Sequence, residues 1–416
     1  NFGLVIYAVA CMIGFLTGLE IPLITRINQS FESLRENISS VMEFDYYGGL
    51  LGGALFAFVL LPFLGLTYTP VLIGSFNLLV ASLILWYFPD RLTRPRILNA
   101  QFVALFLVSV LAFAVAKPII LYGEQHKYKD KIVYQEQTRY QKIVVTQWKD
   151  DYWLFINGST QFSTYDEERY HEPLVHPLMG LIKERKDILL LGGGDGLAAR
   201  EILKYPDVEN LTLVDLDPAM TRLARQDKIF LGINQGSLND PRVRVVNQDA
   251  YQFIKNSGDL YDAVIIDLPD PKSVSLSLLY SLGFYKMVEK HLKPFGSMVT
   301  QSTSPLYSPE AFLCIKKTME AAGFSTVPYQ NSVPSMGQWG WVIGVRHEAM
   351  PAQRLKQELL TLEFADIETR FFNRDAMISM AHFGKGLFEK EAQIEPNTQF
   401  DHNIIKYYRQ GNWDVY

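Results

Sequence analysis

Five aspartates that follow short apolar runs carry the chemistry this sequence suggests. The run LLLGGGDGLAAR, Leu189 to Arg200, passes from a leucine strand into three glycines, then Asp195, a fourth glycine and a helical pattern. A glycine turn ahead of a helix suits a nucleotide. A carboxylate in its middle does not suit a phosphate, because like charges repel. Asp215 ends the next apolar run, 19 residues after Gly196, the distance expected for an acid that hydrogen-bonds ribose hydroxyls. Asp249 and the run DLPDP, Asp267 to Pro271, follow two further strands. Asp267 and Asp270 stand three residues apart, so one can hold a cation while the other accepts a proton. Equally, the pair can brace a turn fixed by Pro269 and Pro271. A mouth ringed by these acids repels phosphates and attracts cations, which points to a positively charged substrate.

Other chemistry-bearing residues have plainer readings. Asp217-Pro218 has the form of a helix N-cap and a first-turn proline. His176 and Tyr165 read as packed groups, and His291 as a group facing the dipole at a helix C-terminus. Trp339 and Trp341 alternate on one strand and read as packing. The two cysteines, Cys11 and Cys314, exclude a disulfide framework or a cysteine-based zinc site, and no metal site is expected. A net charge of −5 gives no reason to expect nucleic acid as a partner.

The elements that must position the acids lie in the part of the chain that follows Lys117. From Leu121 to Ser163 the pattern is short alternating strands, with Asn157-Gly158 as a hairpin turn. After a helical stretch, strands and helices alternate from DILLL to WGWVIGV, which predicts a doubly wound, mostly parallel sheet. The last two strands leave no room for a helix and should form an antiparallel edge. This is the class I methyltransferase-like, Rossmann-like layout of adenosylmethionine-dependent enzymes, whose ligands sit beyond the carboxyl ends of the strands. The expected domains are a transmembrane helical domain over 1–118, a small β domain over 119–178, the Rossmann-like catalytic domain over 179–348, and a C-terminal helical extension over 349–416 without assignable chemistry.

Before Lys117 four segments are long and apolar enough to span a bilayer: Phe2 to Leu19, Tyr47 to Leu66, Thr69 to Phe88 and Ile97 to Ala116. The abrupt start at Asn1 suggests that further helices precede them. Gly48, Gly49, Gly52 and Gly53 suit close helix–helix approach or, equally, a helix with no special partner. Glu20 reads as an interfacial group near Arg26. Arg26 and Arg35 fall in the first loop, and Arg91, Arg94 and Arg96 in the third. The positive-inside rule therefore places those loops in the cytoplasm and everything after Lys117 outside.

GGGDG, the run GSTQFSTYDEERYHEPLVHP, VDLD, QDAYQF and DLPDP occur here in the order seen in spermidine synthases, and from about Tyr140 to Val345 the chain resembles these polyamine aminopropyltransferases. The segments LEIPL, DYYGGLLGGAL, NSVPSMGQWGWV and the tail YYRQGNWDVY resemble the multi-pass membrane-fused branch of that family. The resemblance implies that decarboxylated S-adenosylmethionine, a co-substrate rather than a tightly bound cofactor, donates its aminopropyl group to a primary amine such as putrescine. Spermidine and methylthioadenosine would result. It implies Asp267 as base, Asp270 holding the amine, Tyr170 orienting the attacking nitrogen and His171 lining the amine side. Gln141, Gly192, Gly193, Gly194, Gly196, Asp215, Asp249 and Ala250 match donor-binding positions. Asp195 matches the residue facing the donor's ammonium, where it would repel the carboxylate of ordinary adenosylmethionine. Gln161 and Glu172 lie in the matched run as supporting groups.

The sequence departs from the soluble members on the amine side. KSVSLSLLYS replaces a Gly-Pro pair after DLPDP, and a putrescine-binding tyrosine is replaced around Val333 to Met336. The acid after the second strand is Asp215 rather than Glu, and Ala250 stands for a glycine. The acceptor therefore stays open among putrescine, cadaverine, agmatine and longer amines. A dimer or tetramer is expected, as is a multi-pass place in the cell membrane. A cytosolic donor argues, against the arginine count, for a cytoplasmic catalytic domain. A methyltransferase is the competing enzyme reading, disfavoured by Asp195 and the paired acids. A non-catalytic polyamine- or nucleoside-binding transport or sensing protein is disfavoured by intact Asp267 and Asp270.

Overall fold

The computed structural model describes residues 2–28, 33–87 and 94–413, in two compact units, Asn1–Lys129 and Asp130–Tyr416. The first unit is helical. α1 covers Phe2–Asn28 and α2 covers Leu34–Leu55. A wider turn, Phe56–Leu60, leads into α3, Leu61–Tyr87, and α4 follows over Pro95–Gln125. Gly65 breaks α3 at φ 65°, a conformation glycine adopts without steric cost. Among the described residues, four stretches are long and apolar enough to cross a bilayer: Gly3–Ile27, Arg35–Gly65, Tyr68–Tyr87 and Arg96–Ala116.

The helices are longer than the apolar runs that signalled them. α1 continues through Glu20 and Pro22, so Glu20 is mid-helix rather than at an end; the apolar sequence on both sides outweighs the one backbone bond the proline removes. Arg26 and Arg35, expected in a loop, lie in the last turn of α1 and the first turn of α2. Arg94 is the N-cap of α4 and Arg96 is inside it, while Phe88 and Arg91 lie outside the described residues. Asn37 is fully buried and donates Nδ2 to the Thr25 carbonyl at 2.7 Å. A methyl group added at Gly48, Gly49, Gly52 or Gly53 would meet nothing within 4 Å, so among the described residues no helix packs on that face.

The second unit opens with an antiparallel meander: β1 (Lys131–Gln137), β2 (Lys142–Trp148), β3 (Asp151–Ile156) and β4 (Ser159–Ser163). Asn157 and Gly158, at φ 52° and 83°, make the mirror-image turn that matches the twist of a hairpin. α5 (Glu168–Leu181) leads to β5 (Asp187–Gly192), α6 (Leu197–Leu203), β6 (Asn210–Asp215), α7 (Pro218–Gln226), α8 (Lys228–Ile233), β7 (Val243–Asn247) and α9 (Ala250–Asn256). Next come β8 (Tyr261–Asp267), α10 (Val274–Leu278), α11 (Leu282–Lys290), β9 (Leu292–Gln301), α12 (Pro309–Ala321), β10 (Phe324–Val333) and β11 (Gly337–Arg346).

These strands form one mixed sheet in the order β10-β11-β9-β8-β5-β6-β7. β7 to β9 run parallel, and β11 slots between β9 and β10, antiparallel to both. The continuous apolar runs of β5 and β8 are buried on both faces, as a helix-covered parallel strand requires.

The expected domain boundaries differ from the observed units. α4 runs past 118 to Gln125, and the meander, the sheet and the C-terminal segment form one unit. Ile143 and Phe162 of the meander share a core with Leu190 and Trp341 of the large sheet. The C-terminal segment contributes α13 (Ala352–Thr361), α14 (Arg374–Met380) and α15 (Asn403–Arg409). Leu355, Leu359 and Met377 join the core on one sheet face, and Ile394, Ile404 and Tyr408 the core on the other. The Glu172 carboxylate pins this segment, accepting the backbone N–H groups of Arg370, Phe371 and Phe372 at 2.7, 2.9 and 2.7 Å.

Candidate active site

β5 has β6 on one side and β8 on the other, and the connections leave in opposite directions, so a crevice opens above Gly192. Two glycines make that crevice possible. A side chain at Gly192, φ 85°, would run into the Asp267 carbonyl of the next strand, and one at Gly194 would run into the Asp215 carboxylate. With neither present, the turn lies against both acids. Gly194 N–H donates to Asp215 Oδ2 at 3.1 Å, and Asp217 N–H donates to its Oδ1 at 2.9 Å. Enclosure by protein, with Asp195 close by, still pushes Asp215 up to about 6.

Asp195 and Asp249 each have a backbone partner as well as a place in the crevice. Asp195 Oδ1 accepts from Leu197 N–H at 2.8 Å at the start of α6, and Asp249 accepts from Gln252 N–H at 2.9 Å at the start of α9. Burial raises the Asp195 carboxyl above its ordinary value, opposed by the His171 cation and the Leu197 N–H. Gly196 sits behind them: at φ 86° it turns the chain into α6, and Ser237 Oγ donates to its carbonyl at 2.6 Å. It does not line the crevice, because the chain has already turned away there.

Asp267 ends β8. Tyr170 Oη, from α5, donates to Asp267 Oδ1 at 2.7 Å and rests against Trp341, ring centroids 5.4 Å apart. Burial pushes Asp267 up to about 6, partly offset by His171 and the Tyr170 hydrogen bond. Asp270 is likewise raised by burial, with Lys272 and Tyr408 opposing, and Tyr408 Oη donates to its Oδ2 at 2.9 Å. The DLPDP run thus braces a turn and presents two acids. Gln301 Nε2 donates to the Leu268 carbonyl at 2.6 Å and Tyr280 Oη to the same carbonyl at 2.9 Å, which fixes the backbone between them.

Behind the crevice lies a buried charge network. Glu167 Oε2 takes His171 Nδ1 at 2.9 Å, and its Oε1 takes Arg200 at 2.8 Å and Arg370. Burial alone would lower the His171 pKa, but Glu167, with Asp195 and Asp267 nearby, outweighs it and holds the value at about 9. His171 is therefore a cation at neutral pH. His176 belongs to the far side of the network, between Tyr205 Oη at 3.1 Å and Glu201 at 3.0 Å, a packed histidine as its sequence context suggested. His291 bonds the Met287 and Ser257 carbonyls, and Asp217 caps α7.

One cavity of about 820 Å³ collects Gln141, Tyr170, His171, Gly192, Gly193, Gly194, Asp195, Asp215, Asp249, Ala250, Asp267 and Asp270. Five carboxylates meet there with one lysine, Lys272, among the described residues that line it. Gln161 also lines it, whereas Tyr165 and Glu172 do not. Trp339, expected as packing, is a cavity wall whose Nε1 donates to Gln301 Oε1 at 3.2 Å, while Trp341 is fully buried. Gln301, Tyr408 and Trp413 were not anticipated. Gln301 ends an apolar strand, a position that could have flagged it; Tyr408 and Trp413 lie in the tail YYRQGNWDVY, whose likeness to the membrane-fused branch marked the segment but gave these side chains no role.

Sheet order, glycine turn and acid-lined crevice define the methyltransferase-like Rossmann class. Residues 167–357 match the spermine/spermidine synthase domain. The polyamine aminopropyltransferase of Oceanobacillus iheyensis is 39% identical over 99% of this chain and 79% of its own length. Polyamine aminopropyltransferase 2 of Aquifex aeolicus is 41% identical over 97% and 79%. A spermidine synthase crystallised with the transition state analogue AdoDATO overlays with a TM-score of 0.56 at 24% identity, covering 64% of this chain and 89% of that one. The spermidine synthase of Thermotoga maritima overlays at 0.55, also at 24% identity, over 64% and 88%. The chain belongs to the polyamine aminopropyltransferase family and is a transferase.

Proposed function

We propose that this chain moves the aminopropyl group of decarboxylated S-adenosylmethionine to a primary amine such as putrescine, giving spermidine and methylthioadenosine. The observation that carries the reading is the convergence of five carboxylates on one cavity, with Tyr170 bonded to Asp267. Both substrates are cations, and such a cavity attracts them.

In this reading Gln141, the glycines from Gly192 to Gly194, Asp215, Asp249 and Ala250 hold the nucleoside, with Asp215 on the ribose. Asp195 faces the donor's ammonium. The acceptor arrives as an ammonium and passes one proton to Asp267 Oδ2, while Tyr170 keeps Oδ1 engaged. The freed nitrogen lone pair attacks the aminopropyl carbon bonded to sulfur. As the N–C bond forms, the C–S pair moves to sulfur, and methylthioadenosine leaves as a neutral thioether. The His171 cation moderates the surrounding negative charge, so that Asp267 titrates near 6 and is a base at neutral pH.

Purified full-length protein incubated with decarboxylated S-adenosylmethionine and an amine panel tests this. Methylthioadenosine release that depends on the amine supports the reading. Methyl transfer, or binding without release, overturns it.

The four apolar stretches support a second part of the proposal, that the first unit spans the bilayer, with the catalytic unit on the cytoplasmic side where the donor is made. A maleimide label on Asn256→Cys, in a Cys11→Ser background, should react in inverted vesicles and not in intact cells. The opposite pattern would reverse the orientation.

A further inference from the structure

The synthase-domain match ends at residue 357, yet part of the cavity is walled by residues beyond it. Tyr408, on α15, donates its hydroxyl to Asp270 Oδ2 at 2.9 Å. Trp413 stacks on Tyr408, centroids 4.5 Å apart and planes 28° from parallel, and donates Nε1 to the Tyr408 carbonyl at 2.7 Å. This tail is tied to the segment that follows Asp270. Asn397, fully buried, donates to the carbonyls of Ser277 and Tyr280 at 2.8 and 3.1 Å, and His402 Nδ1 pairs with Ser277 Oγ at 2.7 Å. The tail and the Asp270 loop therefore hold one another in place.

Two further observations point to a cationic, aliphatic ligand. Asp270 Oδ1 is buried and takes no hydrogen bond of good geometry among the described residues, with the Gln301 and Thr303 side chains near enough to favour its charged form. The Lys272 ammonium already stands over the Tyr408 ring, 6.0 Å from its centroid, where a ring face attracts a cation.

We propose that Tyr408 and Trp413 complete the acceptor-amine subsite and select a linear aliphatic diamine. Tyr408 is a positioning residue that occupies one oxygen of Asp270 and aims the other at the ammonium remote from the reacting nitrogen. Trp413 determines specificity: its indole packs on the methylene chain and limits its length. The assignment rests on the aminopropyl-transfer reading above.

Steady-state kinetics of full-length wild type, Tyr408→Phe and Trp413→Ala with 1,3-diaminopropane, putrescine, cadaverine and spermidine tests it, with thermal melting as a check of folding. Tyr408→Phe keeps the ring and should raise the KM of the preferred amine about tenfold, with the donor KM within about twofold. Trp413→Ala should move the preference toward longer amines by about tenfold. If amine and donor KM change equally, or the amine ranking of a folded Trp413→Ala matches wild type, the assignment is overturned while the transfer reading stands. If wild type releases methylthioadenosine with none of the amines, both fall.

Discussion

On one side of the cavity, between β5, β6 and β8, Asp195 and Asp249 each accept a backbone N–H from two or three residues further along the chain. On the other side, Asp270 is held by Tyr408, 138 residues away, on a tail that itself depends on Asn397 for its place. The first wall is made by turns and helix caps, which form wherever the local sequence forms them. The second exists only when distant segments have packed. A wall of the first kind tolerates little change, because a side chain at Gly192 meets a backbone carbonyl. A wall of the second kind can change its size with one aromatic residue. Under the proposed transfer, the shared donor belongs to the rigid wall and the variable amine to the packed one.

That division can be broken at several points. The largest effect is expected from Asp267→Asn, which removes the proposed base: kcat should fall by roughly 10² to 10⁴, with the donor KM little altered. Stopped assays of methylthioadenosine release measure it, and a fall below tenfold would reassign the base. Next comes Asp195→Asn. Asparagine keeps the oxygen that caps Leu197, so the change isolates charge. Use of the decarboxylated donor should drop by about tenfold or more while adenosylmethionine binding is retained; equal losses of the two would sink the discrimination.

Glu172→Ala attacks the C-terminal segment where it packs on the opposite sheet face from Tyr408. Three backbone N–H groups lose a charged acceptor, and the catalytic unit should lose about 3 kcal/mol or more, read from denaturant melting. An unchanged midpoint would mean that the segment around Phe372 is held by its apolar contacts alone. The smallest effect concerns pH. Burial raises Asp267 to about 6, so its carboxylate is protonated below that value and kcat/KM should rise through it. The Tyr170 hydrogen bond favours the charged form. Tyr170→Phe should therefore move this acid limb upward, by less than about one pH unit, and a limb that moves down would contradict the assignment of Asp267.

Much of the rigid wall was readable from spacing. The glycine turn, the acid 19 residues after Gly196 and the paired acids of DLPDP lie in runs of about a dozen residues, where turn chemistry and strand periodicity act alone. Gly196 shows the limit: it belongs to the same run but faces away, because one further residue of turn rotates the chain by a large angle. Helix ends in the first unit were equally hard to read. Glu20 and Pro22 look like a stop, yet the helix runs through them.

What the sequence determined by itself, then, was local: which strands alternate with which helices, where the chain must turn without a side chain, and which acids stand at strand ends. Those features depend on neighbours within a turn or two, and their energies are set before the chain is compact. Only the tertiary structure decided that Gln301, Trp339, Tyr408 and Trp413 share a cavity with Asp267. Those contacts join segments separated by tens to more than a hundred residues. No local preference encodes them, because their stabilisation comes from burial and hydrogen bonds that exist only once the two faces of the sheet are covered.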